Sequence, residues 1–259
     1  MPAPEKSSVS ITIRIQDGIA RITLDRPPLN VLDVEMLRQL NGALRECDET
    51  SMRVVVLTSA LPQAFSAGVE VRDHRAGRLD AMLSEVRENA RLLLTLKPVT
   101  IAVIRGSTLG GGAEIALLCD LVLAADDTVF GFPEIKLGAF PPVAAACLPE
   151  MCGAPRAMRL LLGQSITADA AAQAGLVTEV VPSGQLAETV DRIATDLAAR
   201  SGVALRALTS ATRAQRAPAL LRRLDAAIAT YRATVGPSDD AEEGINAFLE
   251  KRAPAWSHR

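Results

Sequence analysis

An α/β fold with a helical C-terminal region is predicted by two features of the 259-residue chain. Short apolar or alternating runs recur between amphipathic stretches, at a spacing that suits strand–crossover–strand units. Beyond about residue 185 that strand patterning stops, and Ala-, Leu- and Arg-rich segments take over.

The elements follow in order. Ile11, Ile13 and Ile15 alternate with polar residues, Asp17-Gly18 marks a turn, and Ala20, Ile22 and Leu24 alternate again, which predicts a hairpin. Arg26-Pro27-Pro28 ends its second strand. Residues 33–47 carry Met36, Leu37, Leu40, Leu44 and Cys47 at helical spacing, and a strand is expected from Arg53 to Ser59. A loop over 61–74 precedes an amphipathic helix over 79–96, stopped by Lys97-Pro98. Val99 to Ile104 reads as a buried strand. It runs into Gly106 and the glycines at 110–112, then an apolar helix over 113–119 and a strand from Leu121 to Ala125. Segments 185–200, 202–215, 217–235 and 239–251 read as helices. The last opens on Asp239, Asp240, Glu242 and Glu243 and closes on Lys251-Arg252, matching the helix dipole.

Composition narrows the function. Lys and Arg number 28 against 30 Asp and Glu, so no polybasic surface for nucleic acid or anionic membrane is expected. Aromatics are 3% of the chain, too few for a base-stacking platform. Cys47, Cys119, Cys147 and Cys152 form no CxxC pair and only His74 and His258 accompany them, so no metal site is expected. The first ten residues lack the basic-then-apolar order of a secretory signal, and no uncharged run approaches the ~20 residues of a membrane span. A cytoplasmic protein with reduced thiols is the expectation.

Chemistry concentrates in two stretches. In GSTLGGGAEIALLCD (106–120) the glycines follow a strand and open a helix, where backbone N–H groups lack intrahelical partners. Neither a Gly-Lys-Ser/Thr ending nor GxGxxG is present, which removes the phosphate-loop readings. Two readings stand: these amides stabilise a carbonyl oxygen gaining charge, or the glycines let helix and strand pack closely. Glu114 is the only charge between Gly106 and Asp120, a carboxylate in an otherwise apolar helix that is costly unless paired, hydrogen-bonded or protonated. It either works chemically or caps the helix dipole. In VFGFPEIKLGAFPPV (129–143) Glu134 again stands in an apolar run, as an acid/base group or as a turn residue paired with Lys136. Two such glutamates form the pair that addition of water requires, one ionised and one protonated. His74, in the polar RDHR loop, reads as solvated, and Ser66 in FSAG lacks the setting of a nucleophile elbow.

These residues resemble the crotonase family, the enoyl-CoA hydratase/isomerase superfamily. The matching pieces are RPPLNVLD (26–33), AFSAGVEVRDH (64–74), IRGSTLGGGAEIALLCDLVLAA (104–125), FGFPEIKLG (130–138), QAGLVTEVVP (173–182) and EGINAFLEKRAPAW (243–256). The resemblance implies a spiral of ββα repeats over residues 1–195 and a helical trimerisation region over 196–259, assembled as a homotrimer or homohexamer. It implies an oxyanion hole from the backbone N–H groups of Val69 and Gly111. Glu114 would activate water and Glu134 exchange the carbon-bound proton. Coenzyme A, part of the substrate rather than a separate cofactor, would run past Arg26, Pro28 and Leu29 and past Ser66, Ala67 and Gly68.

Two departures bear on the acyl group. Glu70 stands where many relatives have Asp, and PPVAAA (141–146) replaces a Pro-Gly, glycine-rich segment. With FSAGVEVRDH, the motifs look most like the cyclohexa-1,5-diene-1-carbonyl-CoA hydratase subgroup. The implied activity is reversible hydration of an α,β-unsaturated acyl-CoA, an alicyclic dienoyl ester among the candidates. Isomerisation or decarboxylation of an acyl-CoA, and a non-catalytic acyl-CoA-binding subunit, are the alternatives.

Overall fold

Asp17 and Gly18 take positive φ, 52° and 78°, the conformation of a two-residue turn whose twist matches its flanking strands. They join β1 (Ile11–Gln16) to β2 (Ile19–Leu24) antiparallel, with Ile13 opposite Ile22, so the expected hairpin is present. The computed structural model describes residues 9–49 and 52–259. Residues 1–8, most of the segment read for a secretory signal, lie outside the described residues.

After α1 (Val34–Glu49) the chain repeats one unit: a strand, a short second strand, then helix. The first is β3 (Val54–Ser59), β4 (Ala64–Ser66), a 3-10 turn (Val71–His74) and α2 (Leu79–Thr95). The second is β5 (Val99–Ile104), β6 (Ser107–Leu109) and α3 (Gly111–Leu117). The third is β7 (Leu121–Ala125), β8 (Val129–Gly131), a 3-10 helix (Pro133–Leu137) and α4 (Pro142–Cys152). α5 (Ala154–Leu161), β9 (Ser165–Thr167), α6 (Ala168–Gln173) and β10 (Glu179–Val181) close the body. The five long strands and the short β10 make one sheet in the order β1-β2-β3-β5-β7-β10, parallel from β2 onward, and the other short strands a second sheet, β4-β6-β8-β9. This is the ββα spiral that the resemblance implies. Its short strands escape periodicity analysis because three residues carry less than two periods of an alternating pattern. β4 and the 3-10 turn fall within the stretch expected to be loop.

The period of two decides which side of the large sheet each residue serves. Val54 and Val56 of β3 pack with Ile101, Val103 and the Leu186, Val190 and Ala194 stripe of α7 (Leu186–Ala198). Val55 and Leu57 face the larger core, with α1, α2, α3 and α4. The site forms on that second side, where the short strands hand the chain to the helices.

Segments 202–215 and 217–235 are a single helix, α8 (Gly202–Thr230), which continues as a π-helical turn over Tyr231–Val235. Pro218 removes one backbone donor, yet Ala217, Leu220, Leu224 and Ile228 are buried at helical spacing, and that packing outweighs the loss. Arg213 of α8 binds the Leu96 carbonyl and the Asp120 carboxylate, pinning the helix to the segments that lead into β5 and β7. α9 (Asp239–Glu250) then lies against the Pro133–Leu137 turn. No described helix is long and apolar enough to cross a membrane.

Candidate active site

The glycine run owes its composition to three neighbours. A Cβ on Gly110 would lie 2.4 Å from Glu134 Oε1, one on Gly111 would lie 2.6 Å from the Val69 side chain, and one on Gly112 would lie 2.6 Å from Ser66 Cβ. Gly110 also has φ +50° and donates its N–H to the Gly131 carbonyl. The close-packing reading of the glycines therefore holds, and at Gly110 the missing side chain makes room for a carboxyl group.

Two backbone amides meet here. A Cβ on Gly111 would lie 3.6 Å from the Val69 nitrogen, and one on Gly68 would lie 3.6 Å from the Gly111 nitrogen. The Val69 segment is held by its bridge to Leu32, whose bonds run from Leu32 N to Gly68 O and from Glu70 N to Leu32 O. The Val69 N–H takes part in neither. Gly111 is the first residue of α3, so its N–H has no intrahelical acceptor.

Glu114 lies in the first turn of α3 and is buried. Its Oε1 accepts the Ala144 N–H at 2.9 Å, at the first turn of α4, whose first residue is Pro142. PPVAAA thus has a task that its sequence does not announce. Pro142 starts a helix, and the amides that helix leaves unpaired, Val143 and Ala144, face the Glu114 carboxylate. Burial raises the Glu114 carboxyl above its ordinary range, while these amides oppose the rise by favouring the charged form.

Glu134 sits at the start of its 3-10 helix, after Pro133. Its Oε2 is buried with no partner among the described residues. Burial raises this carboxyl first, and the negative charge of Glu114 raises it further. Two neighbouring carboxyls in unlike surroundings divide the roles of base and acid. Glu114 thus has helix-terminal amides that favour its ionised form, whereas Glu134 is shifted upward by burial and by the Glu114 charge.

Both glutamates, Gly68, Val69, Gly110 and Gly111 line one cavity of about 400 Å³. Its wall is largely apolar, with Val71, Met82, Leu83, Val86 and Phe140, and exposed Lys136 and Arg252 stand at its rim. Among the described residues Lys136 makes no bond to Glu134, whereas Arg252 is paired with Glu243 and Glu250. Ala67 also lines the cavity. Arg26, Pro28, Leu29 and Ser66 stand behind that wall: Ala67 N donates to Leu29 O at 2.9 Å, joining the two segments expected to meet coenzyme A. The Ser66 hydroxyl is turned inward, donating to Asn30 O at 2.7 Å and accepting from Gly68 N at 3.1 Å. Arg26 bonds Val31 O and pairs with Asp33 at 2.6 Å.

One expectation is overturned. His74 is not a solvated loop residue: it lines the cavity, and its Nδ1 lies 2.8 Å from the Tyr231 hydroxyl. Burial pushes its pKa down to about 4, which keeps it neutral. Its neighbour Asp73 is fully buried and accepts the Val34 N–H at 3.0 Å, drawing the RDHR segment inward. Tyr231 was missed altogether. The signal available was a lone tyrosine in an Ala- and Arg-rich helix, and only the fold brings it 157 positions back to His74. Cys47, Cys119 and Cys147 are pushed up to about 12, by burial above all, which leaves them unreactive thiols. Among the described residues no group of three or more His, Cys, Asp or Glu side chains is arranged to hold a metal ion.

With fold and site in place, comparison with known proteins defines the class. Residues 14–259 match the family model described as Enoyl-CoA hydratase/isomerase, and the chain belongs to that family. It is 37% identical over 253 residues to the 2,3-dehydroadipyl-CoA hydratase of Escherichia coli (strain K12), covering 94% of this chain and 97% of that protein. It is 32% identical over 255 residues to the cyclohexa-1,5-dienecarbonyl-CoA hydratase of Thauera aromatica, covering 98% of each. The crystal structure of enoyl-CoA hydratase from Bacillus halodurans superimposes with a TM-score of 0.86 at 27% identity, covering 92% of this chain and 99% of that one.

Proposed function

We propose that this chain is a hydro-lyase that adds water reversibly across the double bond of an α,β-unsaturated acyl-CoA. The observation that carries the reading is the pair of glutamates facing one enclosed cavity in opposite circumstances, Glu114 held by helix-terminal amides and Glu134 Oε2 without a partner. The thioester oxygen accepts the N–H groups of Val69 and Gly111, which stabilise it as enolate charge develops. Glu114 takes a proton from water, whose oxygen bonds to the β-carbon. Glu134 delivers its proton to the α-carbon, and the enolate electrons return to form that C–H bond. Dehydration of a 3-hydroxyacyl-CoA is the same path reversed.

Coenzyme A extends from the cavity past Ala67 and Gly68 and the 26–29 segment joined to them. It serves as part of the substrate, and the reaction needs no metal. The largely apolar wall suits a hydrocarbon-rich acyl group, and the likeness to a cyclohexa-1,5-dienecarbonyl-CoA hydratase makes an alicyclic dienoyl ester a leading candidate. We place the protein in the cytoplasm, where its thiols stay reduced, as a homotrimer or homohexamer associated through residues 196–259.

A mass-spectrometric screen of linear, branched and cyclic acyl-CoA esters, read for gain or loss of one water, tests the activity. Turnover of at least one ester is expected. Glu114→Ala and Glu134→Ala should each lower kcat about 10²–10⁴-fold, the usual worth of a positioned acid or base. Wild-type rates in both variants would sink the mechanism.

A further inference from the structure

The acyl-CoA reading leaves one feature of the cavity unused. His74 and Tyr231 stand in its wall, joined by a 2.8 Å contact between Nδ1 and the phenolic oxygen. They come from opposite ends of the chain. His74 closes the 3-10 turn that follows the Val69 amide, and Tyr231 opens the π-helical turn at the end of α8. The tyrosine is 1% exposed and rests on Phe140, ring centroids 5.1 Å apart.

Hydrogen counting gives the pair a property that does not depend on tautomer. A neutral imidazole has one N–H and a phenol one O–H. Their mutual bond consumes one of these two hydrogens. If the phenol donates, His74 Nε2–H remains; if Nδ1–H donates, the phenol O–H remains. No second hydrogen bond joins either side chain to protein among the described residues. One neutral donor is therefore left in a cavity whose wall is otherwise largely apolar, Val71, Met82, Leu83 and Val86 among its residues, apart from Glu114, Glu134 and the rim cations Lys136 and Arg252. Buried donors are satisfied in folded proteins and their complexes, and a site built around one discriminates against ligands that cannot accept from it. Beside Tyr231 an anionic group would meet the Glu114 charge, which reaches that phenol, whereas Lys136 and Arg252 stand at the rim.

We propose that His74 and Tyr231 form a specificity-determining subsite that hydrogen-bonds a neutral oxygen, ketone or hydroxyl, carried by the acyl group. On the carbon skeleton that the apolar wall accepts, open-chain or cyclic, esters that also carry such an oxygen are then bound more tightly than their all-hydrocarbon counterparts. The inference rests on the acyl-CoA reading for its occupant but not on turnover.

Equilibrium binding of saturated esters tests it without chemistry. Hexanoyl-CoA is compared by calorimetry with its 4-, 5- and 6-position oxo and hydroxy counterparts, on wild type, Tyr231→Phe and His74→Leu. Wild type should bind at least one oxygenated ester about fivefold or more tighter than hexanoyl-CoA, the gain of one neutral hydrogen bond. That ratio should fall below about twofold in at least one variant. A purely structural His–Tyr tie would weaken all esters alike and leave the ratio unchanged. Ratios within about twofold for every oxygenated ester on wild type, or a preference that survives in both variants, would overturn the proposal. Failure of the unsaturated counterparts to gain water, with the binding preference intact, would sink the hydratase reading and leave the subsite standing.

Discussion

A carboxyl group can serve as an acid at neutral pH only if its surroundings keep it from ionising, and Glu134 has such surroundings. Its Oε2 is enclosed and unpartnered, with Glu114 as its charged neighbour. Both carboxyls are shifted upward, so both limbs of the activity profile should move the same way. The acid limb, where Glu114 gains its proton, is expected above the ordinary glutamate value of ~4.3. The alkaline limb, where Glu134 loses its own, lies higher still; a kcat profile against pH with an acid limb at the ordinary value would contradict this. Stability carries the same sign. Above the ordinary value the unfolded chain releases the Glu134 proton while the folded chain keeps it, so stability falls as pH rises toward the raised folded pKa. Glu134→Gln, which cannot ionise, should therefore gain Tm relative to wild type as pH increases over that window; thermal melts at several pH values check it. The two glutamates were legible in the sequence because each is an isolated charge in an apolar run. Their expected division of labour came only with the family resemblance, because the amides of Val143 and Ala144 that favour ionised Glu114 belong to another helix.

At the scale of elements, the site is a set of junctions. β4, β6 and β8 are three residues each, and their ends deliver Val69, the glycine run and Glu134 to one place. Gly110→Ala would put a methyl 2.4 Å from the Glu134 carboxyl at φ +50°. The side chain must swing away, so kcat should fall about tenfold or more, with circular dichroism showing the fold retained. Gly244 faces a different neighbour. Its Cβ would lie 2.2 Å from the Leu137 carbonyl, backbone that cannot yield cheaply. Gly244→Ala should push α9 off the Pro133–Leu137 turn and destabilise by about 1–3 kcal/mol, the usual cost of overpacking, measurable in denaturant melts. Helix and long-strand positions were readable from periodicity, as the α2 boundaries at 79 and 95 attest. The joining of two expected helices into α8 was not, since proline is a local signal and the buried Leu220–Leu224–Ile228 stripe a tertiary one.

For the whole molecule, the α/β body and helical C-terminal region were visible as a change of pattern near residue 185, and the family likeness supplied the spiral. What no local pattern could supply was closure. Tyr231 returns to His74, α9 returns to the Glu134 turn, and Arg213 returns to Asp120. These contacts span sequence separations that only the finished fold defines. Exposed Val203, Leu208 and Phe248 lie on α8 and α9, while Ile135, Met158 and Leu162 are exposed on the body, so association through the C-terminal region rests on the family resemblance. Sedimentation is expected to give three or six copies per particle, and a monomer would remove the proposed assembly.

The proposed chemistry requires solvent oxygen to enter the product, since Glu114 has no other role than to activate water. Turnover of an unsaturated acyl-CoA in oxygen-18 water, followed by mass spectrometry for wild type, Glu114→Gln and Glu134→Gln, examines this directly. Wild type should incorporate one labelled oxygen per product molecule, with incorporation slowed about 10²–10⁴-fold in each variant. Product formed without the label, or labelling at wild-type rates when both glutamines are in place, would contradict the account.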